Sequence, residues 1–342
     1  MKLIKYQTYY MIWIYFLPSN TAPQIKKIHT LFFLLEYFCC EKSRGDIRKM
    51  KSKSEEFKGG LYVVAAGMCW GMTGTVQALA PENATPLTIG SARVFGAGLL
   101  LLIWTFFCRK KIISGEKWNW TGILIAALGL TAYQFAFFSA VRLTGVAIGT
   151  MVAIGSAPVL AGILGRFFFK ECLSPRWFIS TLLAITGCFL LVAAGNSNFS
   201  SVSIPGAILA FGAALSYAME GAGLRIIGKR DPVETVSLIS MLSAVMALPW
   251  LITGDISWIF ELRGMICVII LSVFTTILPF SLFTKGIEKI TLGKAYTLSL
   301  SEPMTAWLLS ALLLGERLSL IGSLGVLILF SGIITLACDN SK

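Results

Sequence analysis

Charged residues are scarce in this sequence. They make up 13% of its 342 positions, whereas hydrophobic residues make up 56%. Globular domains usually carry about 25% charged residues. A soluble fold of this size has too little interior to bury so much apolar surface. The shortage of charge therefore excludes soluble classes and predicts an integral membrane protein.

Metal-binding patterns are also lacking. The only histidine is His29, and none of the eight cysteines forms a C-x-x-C pair. Zinc and haem sites would therefore lack ligands. We predict no metal and no cofactor, and we expect the cysteines to act as small buried apolar residues.

The first 58 residues lack a run long enough to span a bilayer. Their apolar runs, Tyr9–Leu17 and Leu31–Cys40, are about half of the roughly 20 residues that a spanning helix needs. We interpret 1–58 as an N-terminal extension that precedes two repeats, 59–195 and 204–338. Either translation naturally starts at Met50, so that 1–49 is dispensable, or the segment is an interfacial anchor.

From Gly59 onward, apolar stretches of about 20 residues alternate with short gaps. Each is long enough to cross roughly 30 Å of hydrocarbon as a helix. The predicted fold class is an all-α integral membrane protein with ten transmembrane helices. The predicted spans are 60–79, 88–107, 119–138, 146–168, 177–194, 204–224, 235–253, 264–283, 295–314 and 319–338.

Basic residues concentrate in alternate gaps, with thirteen in the even gaps and three in the odd gaps. Cytoplasmic loops carry the excess of Lys and Arg, so the even gaps and both termini are predicted to be cytoplasmic. The three basic residues of the odd gaps are Arg142, Arg263 and Arg317.

The second half of the chain echoes the first at an offset of 145 residues. Pro158 aligns with Pro303, and Glu171-Cys-Leu-Ser aligns with Glu316-Arg-Leu-Ser. At an offset of 147 residues, Trp70 aligns with Tyr217. Because five helices are an odd number, the second copy must enter the membrane from the opposite face. The pattern predicts two inverted five-helix repeats, an arrangement typical of secondary transporters.

Several motifs resemble the drug/metabolite transporter superfamily, in particular its EamA-type members. They are Ala65-Ala66-Gly67-Met68-Cys69-Trp70-Gly71, Arg93, the prolines of spans four and nine, and Gly315-Glu-Arg-Leu-Ser319. The resemblance covers about residues 60–338. It implies export or import of small polar metabolites, amino acids, sugars or drugs across the cell membrane.

Apart from Arg166, which lies two residues from the end of the fourth span, the predicted spans contain three charged residues: Arg93, Glu220 and Glu302. Burying such a group costs about 2.5–3.5 kcal/mol on insertion scales. Glu302 lies near the midplane and precedes Pro303, which removes an amide donor and loosens the turn. Its carboxylate could bind a proton, a cation or a substrate ammonium; alternatively, it is neutral and hydrogen-bonded to a neighbouring helix. Arg93 could snorkel outward or pair with a carboxylate, and Glu220 could be solvated from the cytoplasm or line the cavity.

Aromatic and amide side chains could shape a substrate pocket, since Trp and Tyr combine an apolar face with a polar tip. Trp70, Tyr217 and Gln134 are the strongest candidates. The wider set adds Gln77, Tyr133, Phe137 and Tyr296. Glu171 and Glu316 lie at helix ends and are predicted to fix loop geometry or gating contacts.

Together these patterns predict a secondary active transporter, not an enzyme, that moves a small polar solute by alternating access. Export is the favoured direction, and a proton or cation gradient is a candidate energy source. A lipid scramblase or channel and an intramembrane enzyme are the alternatives. Gly223–Lys229 approaches a phosphate-binding G-x-x-x-x-G-K loop, but Arg230 replaces the required Ser or Thr. We therefore expect no bound nucleotide, and we expect no nucleic-acid partner. The membrane spans imply contact with lipid, and the sequence leaves the oligomeric state open.

Overall fold

Every regular element in the part of the chain that the computed structural model describes is helical. That part comprises residues 53–105, 107, 118–195, 203–313 and 319–337. The predictions for residues 1–49 and for Glu316 lie outside these residues, as do positions 315–318 of the motif that ends at Ser319. The described helices are α1 (Lys53–Ala78), α2 (Pro86–Trp104), α3 (Trp120–Thr144), α4 (Val146–Phe169), α5 (Pro175–Gly195), α6 (Ile204–Ile227), α7 (Pro232–Thr253), α8 (Leu262–Ser272), α9 (Leu278–Ile287), α10 (Leu292–Leu298), α11 (Ser301–Leu313) and α12 (Leu320–Ala337), with a 3₁₀ turn at Ser257–Phe260 and a π turn at Val273–Ile277.

Eight helical segments of the described residues are long and apolar enough to cross a membrane. One of them, Leu262–Ile287, runs through α8, the π turn and α9. The two predicted spans outside this set are the first, which α1 forms with a glycine-rich sequence, and the ninth, which is divided into α10 and α11. The predicted all-α membrane fold with ten spans is confirmed.

The first span is longer than its apolar stretch. Helix α1 begins at Lys53, so it crosses the predicted boundary between the extension and the first repeat. Its first turn pairs Glu55 with Lys289 and Glu56 with Lys294, the latter at 2.8 Å. These ion pairs with the α9–α10 region account for an additional polar turn that hydropathy alone does not indicate.

Helix packing follows the predicted repeat. Helix α3 packs on α6, and the corresponding element of the second repeat, α9, packs on α1. In the same way, α4 packs on α6 while α11 packs on α1. The pairs α2–α7 and α5–α12 each join equivalent helices. Exchanging the two halves thus reproduces the set of neighbours, as two inverted repeats require.

The α5–α12 pair illustrates how closely equivalent helices approach. A Cβ atom on Gly187 would lie 2.4 Å from the Leu329 nitrogen and 2.6 Å from the Gly325 oxygen. Both neighbours are backbone atoms, which cannot rotate away as a side chain can. Small residues at such crossings allow the van der Waals packing that drives helix association in lipid.

We expect Gly187→Ala to destabilise the protein by about 1–3 kcal/mol, the usual cost of overpacking. Thermal unfolding of the detergent-solubilised protein, followed by size-exclusion chromatography, measures the change. Gly212→Ala is the matched control, since its Cβ would meet nothing within 4 Å and alanine favours a helix. Equal melting temperatures for the two variants would contradict the close crossing.

Candidate functional site

The ninth span is broken at its centre, between the end of α10 at Leu298 and the start of α11 at Ser301. Pro303 has no amide hydrogen to donate to the Ser299 carbonyl, the acceptor that a regular helix would give it. That carbonyl instead accepts from the Glu302 amide at 3.0 Å. The loosened turn predicted beside Glu302 is therefore present.

Helix α1 packs directly against this break. A Cβ on Gly67 would lie 2.8 Å from the Ser299 carbonyl oxygen. A Cβ on Gly71 would lie 2.6 Å from the backbone carbonyl oxygen of Glu302. The Ser301 hydroxyl donates to the Val64 carbonyl at 3.0 Å. The two glycines thus let the backbone of the first repeat touch the interrupted backbone of the second.

The equivalent proline of the first repeat has a different effect. Pro158 lies inside α4, which continues without interruption from Val146 to Phe169. Only one of the two aligned prolines thus accompanies a helix break, so the candidate site is asymmetric.

Glu302 lies about halfway along the ninth span, next to the break. The residue is partly exposed, and its charge interacts with that of Arg93.

Arg93 and Glu220 face the same region from α2 and α6. Arg93 is the eighth residue of α2 and is 9% exposed, and Glu220 is 2% exposed. Neither side chain reaches bulk water, so the structure does not match an Arg93 that snorkels outward or a Glu220 solvated from the cytoplasm. The guanidinium of Arg93 interacts electrostatically with Glu220, Glu302 and Tyr133, while its Nε has no hydrogen-bond partner.

Trp70 and Tyr217, which occupy matching repeat positions, contact each other. Their ring centroids are 6.1 Å apart in an edge-to-face arrangement. Residues at matching positions meet in this way only near the axis that relates the repeats. The Tyr217 hydroxyl is buried at this axis, close to the Ser299 side chain, so a polar group lies beside the helix break.

The remaining predicted pocket residue, Gln134, lies to one side of this aromatic contact. It is buried against Gly90 of α2 and borders a small cleft between α2, α3 and α7. Its amide nitrogen has no hydrogen-bond partner. The preceding residue, Tyr133, joins the aromatic group instead, 5.3 Å from Tyr217.

Two aromatic residues of this group were absent from the predicted set. Phe280 and Phe283 of α9 each lie 5.3 Å from Trp70. The available signal was Pro279, which aligns with Gln134: Phe280 directly follows this proline, and Phe283 lies about one helical turn after it. Tyr296, which was in the wider set, lies 4.6 Å from Tyr217. The ionisable and aromatic residues together can contact a solute that has both charged and apolar parts.

An ion pair lies beyond the aromatic group, at the end of the protein where α4 ends and α10 begins. Glu171 Oε1 and Arg225 Nη2 are 2.8 Å apart, and Glu171 Oε2 accepts from the Leu292 amide at 2.7 Å. Burial raises the pKa of Glu171, and the Arg225 charge counteracts part of that rise. The predicted structural role of Glu171 thus has a defined partner.

Comparison with known proteins gives consistent matches over both repeats. The EamA-like transporter family matches residues 57–193 and 204–338. Uncharacterized transporter YwfM of Bacillus subtilis is 37% identical, and the alignment covers 82% of this chain and 94% of the relative. A probable amino-acid metabolite efflux pump of Salmonella typhimurium is 24% identical, over 81% and 93% respectively.

A solved crystal structure shares the fold, with a TM-score of 0.72 at 18% sequence identity; the superposition covers 82% of this chain and 98% of the other. The family match spans most of the described helices and contains every residue of the candidate site. The predicted resemblance is confirmed. This chain is a multi-pass membrane protein that belongs to the EamA-like transporter family.

Proposed function

We propose that the protein is a secondary active transporter that exports a small polar metabolite by alternating access. The observation that carries this proposal is the helix break beside Glu302, at the contact between the repeats, with Arg93 and Glu220 facing the same region. In many transporters the substrate and coupling-ion sites lie near the midplane, where discontinuous helices meet at the repeat interface.

The side chains in the region favour a solute with charges of both signs. Arg93 offers a buried guanidinium with an unused donor, which suits a carboxylate. Glu220 could face an ammonium group, Glu302 could carry the coupling proton, and the ring faces around Trp70 could cover apolar atoms. Amino acids have this combination of groups. The relative named as a probable amino-acid metabolite efflux pump supports the same substrate class and the direction of export.

The proposed location is the plasma membrane, with both termini in the cytoplasm. The excess of basic residues in the even gaps supports this orientation. It places the α4–α5 and α9–α10 connections on the cytoplasmic side and the α1–α2 connection outside.

Counterflow in proteoliposomes tests the proposed function. Vesicles that contain the purified full chain and an unlabelled amino-acid mixture should take up labelled amino acid transiently above its external concentration. A carrier produces this overshoot because it exchanges solute for solute. Simple equilibration would indicate a channel, movement of labelled lipid alone would indicate a scramblase, and chemical alteration of the solute would indicate an enzyme.

A further inference from the structure

The short helix α10 closes one end of the candidate site. All seven of its residues are buried. By contrast, the six residues from Glu302 to Trp307 at the start of α11 are all partly exposed. Six consecutive residues point in every direction around a helix of 3.6 residues per turn. The two sides of the break therefore differ: α10 is packed on every side, whereas the first turns of α11 keep exposed surface on every side.

A clamp formed by Glu171 and Arg225 holds the start of α10. Glu171 joins the clamp from the α4–α5 connection and accepts from the Leu292 amide, so it occupies the first free donor of α10. Arg225 of α6 pairs with Glu171 and also donates to the carbonyls of Ile287 and Ile290, which precede α10. One ion pair thus ties the first repeat to three segments of the second.

The local sequence is suited to place Glu171 there. Lys170 adopts a left-handed backbone with φ of 54°, which ends α4 and turns the chain. The Glu171 amide then donates to the Gly165 carbonyl at 3.0 Å. A Cβ on Gly165 would lie only 2.5 Å from Glu171 Oε2, so the absence of a side chain makes room for the carboxylate.

A second contact holds the middle of α10 against α6. The Tyr296 hydroxyl accepts from the Gly221 amide at 3.1 Å and donates to the Tyr217 carbonyl. These two α6 groups are the ones that pair with each other in a regular helix. A Cβ on Gly221 would lie 2.5 Å from this hydroxyl, so the contact depends on glycine. A displacement of α10 would therefore disturb α6 next to Glu220.

We propose that α10 is the movable gate at this end of the transport path and that the Glu171–Arg225 ion pair is its lock. The proposal rests on the proposed transport function, because alternating access requires one end to open while the other closes. Glu171 and Arg225 are positioning residues: they bind no solute and control whether α10 seals the site. Glu171 is buried and Arg225 is half-buried, so removing one partner leaves the other without its ionic contact and should weaken the closed arrangement.

A single reporter thiol measures opening of the gate directly. Thr297→Cys is placed in the full chain from which the native cysteines have been removed, since Thr297 is fully buried in α10 and faces Thr181 at 2.9 Å. A water-soluble maleimide is added to the detergent-solubilised protein, where both ends are accessible to the reagent. With the lock intact, the reporter should react slowly.

Glu171→Gln should raise the modification rate of this reporter at least about tenfold, since glutamine can accept from Leu292 but cannot form the ion pair. Arg225→Lys should give a smaller increase, because lysine retains the charge without the fork that reaches three partners; it also provides the test if Glu171→Gln fails to fold. Lys58→Ala is the matched control. It removes an exposed ion pair within α1, between Lys58 and Glu55, and should leave the rate unchanged.

A second protein that retains only Cys267 separates local opening from general loosening. This thiol is buried in α8, near the Leu79 carbonyl at the opposite end of α1. It should remain unreactive in Glu171→Gln. An equal increase at Cys267, an unchanged rate at position 297, or fast reaction of the reporter with the lock intact would each overturn the proposal. The labelling does not depend on transport, so a failed counterflow experiment would overturn only the proposed function.

Discussion

Glu302→Gln should leave a folded protein that still exchanges solute but no longer concentrates it on a pH gradient. Glutamine preserves the size of the side chain and cannot bind and release a proton or pair with a cation. Exchange requires only that the loaded carrier reorients, whereas accumulation requires a coupling ion. Since coupling free energies of about 1–3 kcal/mol correspond to 5–150-fold, gradient-driven accumulation should fall at least about fivefold.

Two measurements in the same proteoliposomes check this expectation: counterflow without a gradient, and uptake driven by an imposed pH difference. Glu82→Gln is the matched control, because Glu82 is an exposed acid in the α1–α2 connection. It should match the parent in both assays. Parental accumulation in Glu302→Gln would remove Glu302 from the coupling mechanism and leave it a structural role beside Pro303.

The ten spans could be predicted because the bilayer imposes one length and one composition on every crossing, and the two repeats because the second half of the chain echoes the first. The offset that aligns Trp70 with Tyr217 assigns them matching positions in the two repeats, and the structure shows that the two rings are in contact. Both results follow from patterns that extend over many residues. A few atypical positions therefore do not obscure them.

The break in the ninth span is a feature that such patterns do not predict. Pro158 and Pro303 align, yet α4 is continuous and the ninth span is divided. The proline indicates only that a donor is missing. The outcome depends on what packs beside it, and Gly67 and Gly71 of α1 supply that contact in the second repeat alone.

Contacts between residues that are distant in the sequence could not be predicted either. Glu171 was singled out by its repeat position, but its partner Arg225 is 54 residues away and is one of the thirteen basic residues of the even gaps, which indicated only the orientation of the chain. The Tyr296 hydroxyl similarly finds two α6 backbone groups that any helix contains. No side-chain pattern marks a backbone acceptor, so only the folded structure identifies these contacts.

Arg93→Met should abolish exchange of carboxylate-bearing solutes as well as their accumulation. In the proposed site Arg93 is the group that binds the solute carboxylate, and truncating one partner of a buried, hydrogen-bonded charge pair costs about 2–5 kcal/mol. Counterflow should thus fall at least about tenfold. Arg93→Lys should recover only part of the counterflow, since lysine retains the charge but cannot form the bidentate hydrogen bonds of a guanidinium group. Loss of both activities would distinguish Arg93 from Glu302, whose replacement should spare exchange.

Arg142→Met provides the control, because Arg142 is an exposed arginine in the last turn of α3, outside the candidate site. Its replacement should leave counterflow unchanged. The size-exclusion profile of Arg93→Met tests whether the variant folds. The hydrogen bond that the Ser272 hydroxyl donates to the backbone carbonyl of residue 93, at 3.0 Å, should persist because the substitution leaves the backbone unaltered. Parental counterflow of a zwitterionic amino acid by folded Arg93→Met would show that the carboxylate binds elsewhere. Arg93 would then serve to balance the charges of Glu220 and Glu302.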